Sequence, residues 1–253
     1  MSGSASLLDL LEARSGVVCA VGAGGKKSLL GQLATAHPGR VAITSTVFTT
    51  YFKEQPGFAL VIEADEQLAE AVAAVNRGLS VAYACPGTKP GRHAGVSAAT
   101  IERIHREGGF AASYVKADGA RMRLVKAPAE DEPALPDSCT TVVPILSALV
   151  IGELLSTRIA HRLEHIERVA GLREHERITP LHVARLLASE EGLLKATAGR
   201  RVVPLINMVD DPTREAAARE AARAALELTD RFDRVVLTSL SRLADPVVAV
   251  VRR

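Results

Sequence analysis

The sequence predicts an α/β protein with a mostly parallel β-sheet flanked by helices, and two observations lead to this prediction. Short apolar and β-branched runs alternate along the 253-residue chain with stretches of helical periodicity, which is the pattern of β-α-β units. Hydrophobic residues make up 47% of the chain but aromatic residues only 3%, so alanine, valine, leucine and isoleucine must supply the core. These residues suit parallel strands covered by alanine-rich helices.

Nine strands and six helices are predicted in order along the chain. Strands are assigned to short apolar runs bounded by turn residues, and helices to apolar residues spaced three and four apart. One helix opens with Thr179-Pro180, an N-cap residue followed by a first-turn proline. The predicted strands are 17–21, 41–44, 59–62, 80–84, 112–117, 141–146, 201–207, 234–238 and 247–251, and the predicted helices are 26–36, 66–76, 98–106, 158–170, 180–189 and 212–228.

Residues 147–198 separate a longer N-terminal section from a shorter C-terminal part. This block contains no convincing strand and includes two of the predicted helices. We therefore expect a small helical insertion, followed by a C-terminal β-α-β part, within one domain that spans residues 1–253.

Charge and apolar runs argue against several classes of function. The net charge is only +2, with 31 basic and 29 acidic residues, so electrostatics does not favour a nucleic-acid partner. Three cysteines without C-x-x-C spacing indicate neither a disulfide framework nor a zinc site. No apolar run reaches the roughly 18 to 20 residues that span a bilayer, and the N-terminus lacks the basic region of a signal peptide. We expect a cytoplasmic protein with no membrane partner.

The segment 22–28, GAGGKKS, joins the first predicted strand to the first large helix. A glycine-rich turn at this place points backbone N–H groups at one spot, and the helix N-terminus adds partial positive charge, so such loops bind phosphate. The usual pattern is G-x-x-x-x-G-K-[ST], and it predicts a P-loop NTPase-like fold that binds a nucleoside triphosphate, GTP or ATP. The predicted binding residues of the loop are Gly22, Ala23, Gly24, Gly25, Lys26, Lys27 and Ser28.

Two registers of this pattern are compatible with the loop. If Lys26 is the phosphate lysine, Gly25 precedes it as required and Ala20 replaces the first glycine. If Lys27 is the phosphate lysine, Lys26 replaces the essential glycine, where a positive φ is costly for a residue with a side chain. We choose the first register. Lys27 then occupies the position of the magnesium-binding hydroxyl, so Ser28 substitutes, or magnesium is held elsewhere, or the lysine charge partly replaces it.

Asp118, in Asp118-Gly119, ends the predicted strand 112–117. A strand-end aspartate beside a phosphate loop can bind a magnesium-bound water, although an ordinary Asp-Gly turn fits equally well. Lys26 and Asp118 are therefore the candidate catalytic residues, and Ser28 and Asp118 the candidate Mg²⁺ ligands. The segment KAPAEDEP (126–133) is predicted to be a stiff surface loop, either a solvated linker or a ligand-facing loop with Lys126 as an added phosphate-binding cation.

Asn207 and Asp210 follow another apolar strand with the spacing N-x-x-D. In GTPases the pattern N-K-x-D reads guanine, and the later segment 235–241 stands where those proteins keep a small-residue loop at the base. A helix-capping turn is the alternative interpretation. Met208 replaces the lysine that packs on the base, so the choice of base stays open.

Two further features carry weaker predictions. His161 and His165 lie four apart in a predicted helix, the spacing of a two-histidine metal face, but no third ligand accompanies them. A solvated or capping role is favoured for both. Cys85 follows a strand and is expected to be a buried, inert thiol.

Taken in order, these segments resemble the YqeC family over nearly the whole chain. Its members are described as accessory proteins of selenium-dependent molybdenum hydroxylases, or of selenium cofactor biosynthesis. That family usually reads G-A-G-G-K-T-[ST] in the loop, E-A-D-G-A-K before the proline segment and N-K-x-D near the C-terminus. The matching residues are Gly22, Gly24, Gly25, Lys26, Ser28, Asp118, Gly119, Lys126, Pro128, Glu130, Pro133, Asn207 and Asp210, and the departures are Lys27, Lys116 and Met208.

Three functions are compatible with the residues and the resemblance. The first is a nucleoside triphosphatase that helps a client molybdenum hydroxylase to mature. The second is a non-hydrolysing module that binds a phosphate-bearing cofactor such as molybdopterin, and the third is a small-molecule kinase. Lys27 and Lys116 place extra cations where a magnesium site would form, so we predict weak or absent Mg²⁺-dependent hydrolysis.

Overall fold

Strands and helices alternate along the chain, as the sequence predicts. The structure, a computed structural model, describes residues 6–52 and 54–253. No helix in these two ranges is long and apolar enough to cross a membrane. The elements are α1 (Leu7–Leu10), β1 (Gly16–Gly22), α2 (Lys26–Ala36), β2 (Val41–Ser45), β3 (Thr49–Thr50), β4 (Phe58–Ile62), α3 (Asp65–Ala73), β5 (Ser80–Ala84), β6 (Arg92–His93), α4 (Ala98–Glu107), β7 (Ala112–Lys116), β8 (Val125–Lys126), β9 (Cys139–Ser147), a 3-10 helix (Ala148–Val150), β10 (Ala160–His161), α5 (Leu163–Ala170), α6 (Pro180–Ala188), β11 (Arg201–Val202), β12 (Leu205–Asn207), α7 (Pro212–Leu228), β13 (Arg234–Thr238) and β14 (Val247–Arg252).

The chain divides into two compact units, each built from several parts of the sequence. Unit 1 takes the residues up to Ala20 together with Leu30–Gly119 and Ala134–Thr141. Unit 2 takes Val21–Leu29, Ala120–Pro133 and Val142–Arg253. The single domain with an insertion at 147–198 stays a prediction.

Unit 1 is built on a parallel sheet with the strand order β1-β7-β2-β5-β4. Its strands are mostly apolar, as is usual for strands of a parallel sheet that helices cover. Helices α3 and α4 pack against each other beside the sheet. Lys116, the last residue of β7, pairs with Ala20 on one side and with Ser45 on the other. The carboxyl ends of three neighbouring strands therefore meet at one edge.

Unit 2 contains the strands β9, β12 and β13 in parallel, and β14 pairs antiparallel with β13. The long helix α7 begins where Asp211 caps it, its side chain accepting from the Arg214 amide at 2.9 Å, and Pro212 occupies the first turn. Helix α7 packs extensively against α6. Its buried face is mostly alanine, and these small side chains allow close approach: Ala218, Ala221, Ala222, Ala225 and Leu226.

Three predictions need correction in unit 2. The predicted strand 201–207 is split into β11 and β12, because Pro204 has no N–H to donate to a ladder. Residues 147–198 do contain a short strand, β10, which pairs in parallel with β8. The helix predicted at 158–170 accordingly starts only at Leu163, after Arg162 takes a left-handed conformation with φ of 64°.

Candidate functional site: the glycine loop of unit 2

The loop between β1 and α2 has a backbone that favours glycine at three positions. Gly22, Gly24 and Gly25 have φ values of 91°, 101° and 128°. A Cβ atom on Gly22 would lie 2.3 Å from the carbonyl oxygen of Ile145, and one on Gly24 would lie 2.7 Å from the Ser147 nitrogen. The glycines are therefore needed both for the positive φ and for the close approach of the loop to the end of β9.

Asn207, the last residue of β12, braces this loop from the side. Its Nδ2 donates to the carbonyl oxygen of Gly24 at 2.7 Å. Its Oδ1 accepts from the hydroxyl of Thr238 and from the amide of Leu240, both at 3.1 Å. The side chain is buried, so these hydrogen bonds are protected from water. One amide group thus joins the glycine loop to the residues that follow β13.

Lys26 is the first residue of α2 and is only 5% exposed, whereas Lys27 and Ser28 are exposed. Its Nζ turns back and donates to the carbonyl of Gly22, so the ammonium lies at the loop. A buried ammonium requires acceptors, and phosphate oxygens are stronger acceptors than a neutral carbonyl. The arrangement favours the first register of the phosphate-loop pattern.

Asp210 lies in the turn between β12 and α7, and its side chain is 41% exposed. Its Oδ1 accepts from the hydroxyl of Ser239 at 2.6 Å, which connects it to the same post-β13 loop that Asn207 contacts. Met208 has a φ of 63°, and its sulfur accepts from the Ser147 hydroxyl at 3.0 Å. The structure therefore brings both residues of the N-x-x-D pattern beside these loops, and their contact with a base stays a prediction.

Asp118 and Lys116 belong to unit 1. Asp118 is buried and lies two residues after the end of β7. The Lys116 ammonium donates to the carbonyl oxygen of Phe48 at 3.0 Å. Within the described part of the chain, no group of three or more His, Cys, Asp or Glu side chains is arranged to hold a metal ion. Magnesium ligation by Ser28 and Asp118 stays a prediction.

The predicted surface loop at 126–133 is wrong for its first residues, because Lys126 is fully buried in β8. The Lys126 ammonium donates to the Glu132 carboxylate, and the Arg162 guanidinium donates to the same carboxylate oxygen. The side chain of Glu132 is only 12% exposed. Lys126 thus takes part in a buried ion cluster, and Glu132 is a residue that the sequence analysis did not single out.

His161 and His165 do not form the helical pair that their spacing resembles, because His161 lies in β10 and α5 begins at Leu163. The ring Nδ1 of His165 is 2.9 Å from the carbonyl oxygen of Pro128. Burial, followed by the charges of Arg162, Lys126 and Arg121, lowers the pKa of His161 to about 4. His161 is therefore neutral at neutral pH in the folded protein.

Replacing His161 with glutamine should reduce the loss of stability in mild acid. An unfolded histidine gains a proton near pH 6.5, whereas folded His161 gains one only near pH 4. Between these values the unfolded state binds more protons than the folded state, so the free energy of unfolding falls as the pH drops. Urea unfolding at pH 7 and pH 5 measures the effect. The difference between the two pH values should be smaller for His161→Gln than for the wild type, and an equal difference would contradict the assignment.

Cys85 is buried beside Asp65, with its sulfur 3.7 Å from Oδ1 of that carboxylate. Burial, followed by the negative charge of Asp65, raises the pKa of the Cys85 thiol to about 11. A thiol with this pKa is protonated at neutral pH and is a poor nucleophile. The expectation that Cys85 is buried is confirmed, and its lack of reactivity stays a prediction.

Comparison with known proteins connects the loop to a family. The family model described as "YqeC protein" matches residues 18–164, which is more than half of the chain and includes the glycine loop. The chain is also 28% identical over 209 residues to "Uncharacterized protein YqeC" of Escherichia coli (strain K12), a match that covers 81% of this chain and 80% of that protein. The chain belongs to the YqeC family.

Proposed function

We propose that this chain is a nucleotide-binding accessory protein whose glycine loop holds the phosphates of GTP or ATP. The observation that supports this most strongly is the construction of the loop at 22–26. Positive-φ glycines, the Asn207 brace and the buried ammonium of Lys26 all converge at the start of an 11-residue helix. Backbone N–H groups and a positive helix end are suited to a phosphate group.

Each candidate residue has a proposed role in this complex. Backbone amides of the loop at 22–27 surround the β-phosphate, apart from the Ala23 amide, which donates to the carbonyl oxygen of Ile145 at 2.8 Å. The Lys26 ammonium exchanges the Gly22 carbonyl for β- and γ-phosphate oxygens. Asn207 and Asp210 face the base. Lys126 is left out of this set, because it is buried against Glu132.

Magnesium fits this loop poorly. An ammonium cannot ligate a cation, and Lys27 stands where the usual loop supplies a hydroxyl. Ser28 and Asp118 are the remaining candidate ligands, and a single carboxylate with a hydroxyl is a weak donor set for Mg²⁺. We propose that binding occurs without magnesium and that hydrolysis is slow or absent.

The biological setting comes from the family resemblance. We propose that the client is a molybdenum hydroxylase, either selenium-dependent or selenium-free, and that the chain assists its maturation. Membership of the YqeC family supports an accessory role of this kind. Co-purification of a tagged chain with such a hydroxylase, from cells that express both proteins, would test it.

Replacing Lys26 with alanine should weaken nucleotide binding about 10- to 100-fold, because a charge-assisted contact contributes about 1.5–3 kcal/mol. Arg223→Ala is the matched control, since it removes an exposed cation of α7 that is not part of the loop, and it should leave affinity unchanged. Isothermal titration with GTP and with ATP, with and without Mg²⁺, measures both variants. Absence of binding to the wild type, or equal losses in the two variants, would overturn the proposal.

A second candidate function is a non-hydrolysing module for another phosphate-bearing cofactor. The lysine at position 27 favours it, since a permanent cation can replace the metal that hydrolysis requires. The two functions differ in the ligand that binds best. Slow phosphate release from GTP or ATP by the wild-type protein would support the triphosphatase, whereas displacement of bound GTP or ATP by a pterin phosphate, with no phosphate release, would support the module.

A further inference from the structure

The chain concentrates its few aromatic residues in one exposed segment of unit 1. It has five phenylalanines and three tyrosines, and three of these eight lie within residues 48–52. Phe48 is 39% exposed and Tyr51 is 53% exposed. Exposed aromatic clusters in a protein otherwise poor in aromatic residues usually mark a binding surface. We call Phe48, Tyr51, Phe52, His93 and Lys89 the aromatic platform.

The members of the aromatic platform form two sets of ring contacts, one around His93 and one between Lys89 and Phe48. The ring of His93 lies 4.6 Å from that of Tyr51 and 5.7 Å from that of Phe52, and the second pair is nearly parallel at 25°. The ammonium of Lys89 lies 4.7 Å from the centre of the Phe48 ring, a cation–π contact. Rings and cation are therefore already assembled in the protein.

The backbone holds this arrangement in place. Strand β3 pairs antiparallel with β6, which sets Thr49 opposite His93, and the Tyr51 amide donates to the carbonyl of Gly91 at 3.3 Å. A Cβ atom on Gly95 would lie 2.2 Å from the carbonyl oxygen of Thr46, so the two segments are in close backbone contact. An ordered platform loses little conformational entropy when a ligand binds.

The aromatic platform follows the carboxyl end of β2. Ser45, which ends β2, pairs with Lys116, and the Lys116 ammonium donates to the carbonyl of Phe48. In parallel α/β sheets, ligands bind outside the carboxyl ends of the strands. The position of the platform is thus one at which such folds bind small molecules.

The segments that form the aromatic platform carry more basic than acidic residues. Segments 46–52 and 86–94 contain Lys89 and Arg92 and no aspartate or glutamate, and the next acidic residue in the chain is the exposed Glu54. An exposed ring offers stacking to any planar ligand, and the neighbouring ammonium selects a ligand with negative charge.

We propose that the aromatic platform binds a small, planar heteroaromatic ligand that carries an anionic group. The ring system stacks on Tyr51, and the anionic group pairs with the Lys89 ammonium, which the Phe48 ring holds by its cation–π contact. This site lies in unit 1 and does not depend on the nucleotide-binding function proposed for the glycine loop. It gives the chain a second small-molecule site of defined chemistry.

Pterin-6-carboxylate is a suitable fluorescent probe, because it combines a planar heterocycle with one carboxylate. Titration of the wild-type protein should show saturable binding. Tyr51→Ala should weaken binding about tenfold or more, as loss of stacking on one aromatic ring does elsewhere, whereas Tyr51→Phe should retain it. Lys89→Met should weaken binding of the carboxylate but leave binding of unsubstituted pterin unchanged.

The proposal would be overturned by no binding of the probe to the wild type, by equal binding to Tyr51→Ala, or by displacement of the probe by inorganic phosphate alone. Lys26→Ala separates this site from the glycine loop, because it should leave probe binding unchanged. Loss of probe binding in Lys26→Ala would place the probe at the loop and contradict the platform. Thermal unfolding of each variant confirms that it is folded, and the exposed position of Tyr51 makes this the expected result.

Discussion

Replacing Gly25 with alanine should abolish nucleotide binding and destabilise the loop that carries it. Gly25 has a φ of 128°, which a residue with a side chain rarely adopts. An added Cβ would also lie 2.5 Å from Nδ2 of Asn207, closer than two such atoms approach in proteins. Asn207 cannot move away without breaking its hydrogen bonds to Gly24, Thr238 and Leu240.

The expected effects of Gly25→Ala are large because strain and lost hydrogen bonds act together. Backbone strain costs about 1–3 kcal/mol, and a buried polar group left unpaired costs about 1–3 kcal/mol. We expect the free energy of unfolding to fall by about 3 kcal/mol and the affinity for GTP or ATP to fall at least about 100-fold, since the loop amides no longer converge. Urea unfolding and calorimetric titration measure the two effects.

Gly31→Ala is the matched control for this substitution. Gly31 lies within α2, and a Cβ atom there would meet no atom within 4 Å. Alanine is favoured over glycine in a helix by about 1 kcal/mol, so this variant should be as stable as the wild type or slightly more stable, with unchanged affinity. If Gly25→Ala instead behaves like Gly31→Ala, the glycine loop is not a constrained site.

The glycine loop was predictable from the sequence, but the hydrogen bond that Asn207 donates to it was not. The order strand, glycine-rich turn and helix is a local pattern, and it indicates both the turn and the first helical residue, Lys26. That Asn207 donates to Gly24 depends on the order of the strands in unit 2, which no local pattern contains. The N-x-x-D spacing predicts that Asn207 contacts a base, and that contact stays a prediction. The spacing does not indicate that the Asn207 amide also donates to the glycine loop.

The short strands were missed for a different reason. Two-residue strands such as β3, β6, β8 and β10 are too short to show the alternation that identifies a strand. Two of them, β8 and β10, pair across more than thirty residues and bury Lys126, which explains why KAPAEDEP was predicted to be a surface loop. The charged residues and prolines of this segment are typical of a solvent-exposed loop. That the Glu132 carboxylate accepts from the buried Lys126 ammonium depends on the fold, and no local pattern shows it.

Replacing Glu132 with glutamine should destabilise the protein more than any other single change to a charged residue of this segment. Glu132 accepts from both the Lys126 ammonium and the Arg162 guanidinium, and Lys126 has no exposed surface. Removing the carboxylate charge takes a counter-ion away from a buried cation, which costs about 3–5 kcal/mol in comparable pairs. Urea unfolding should show a loss near the lower end of this range, because Arg162 is partly exposed.

Glu130→Gln is the matched control, since Glu130 lies two residues away in the same segment and is exposed. It should change stability by no more than about 0.5 kcal/mol. The double variant Lys126→Met/Glu132→Gln should recover part of the loss, because it also removes the buried ammonium, whose desolvation is the source of the cost. If Lys126 has a structural role, the effects of the two substitutions on the free energy of unfolding should be coupled in the absence of ligand. If Lys126 serves only to bind phosphate, these effects should be small and additive, and Glu132→Gln should destabilise the protein no more than Glu130→Gln.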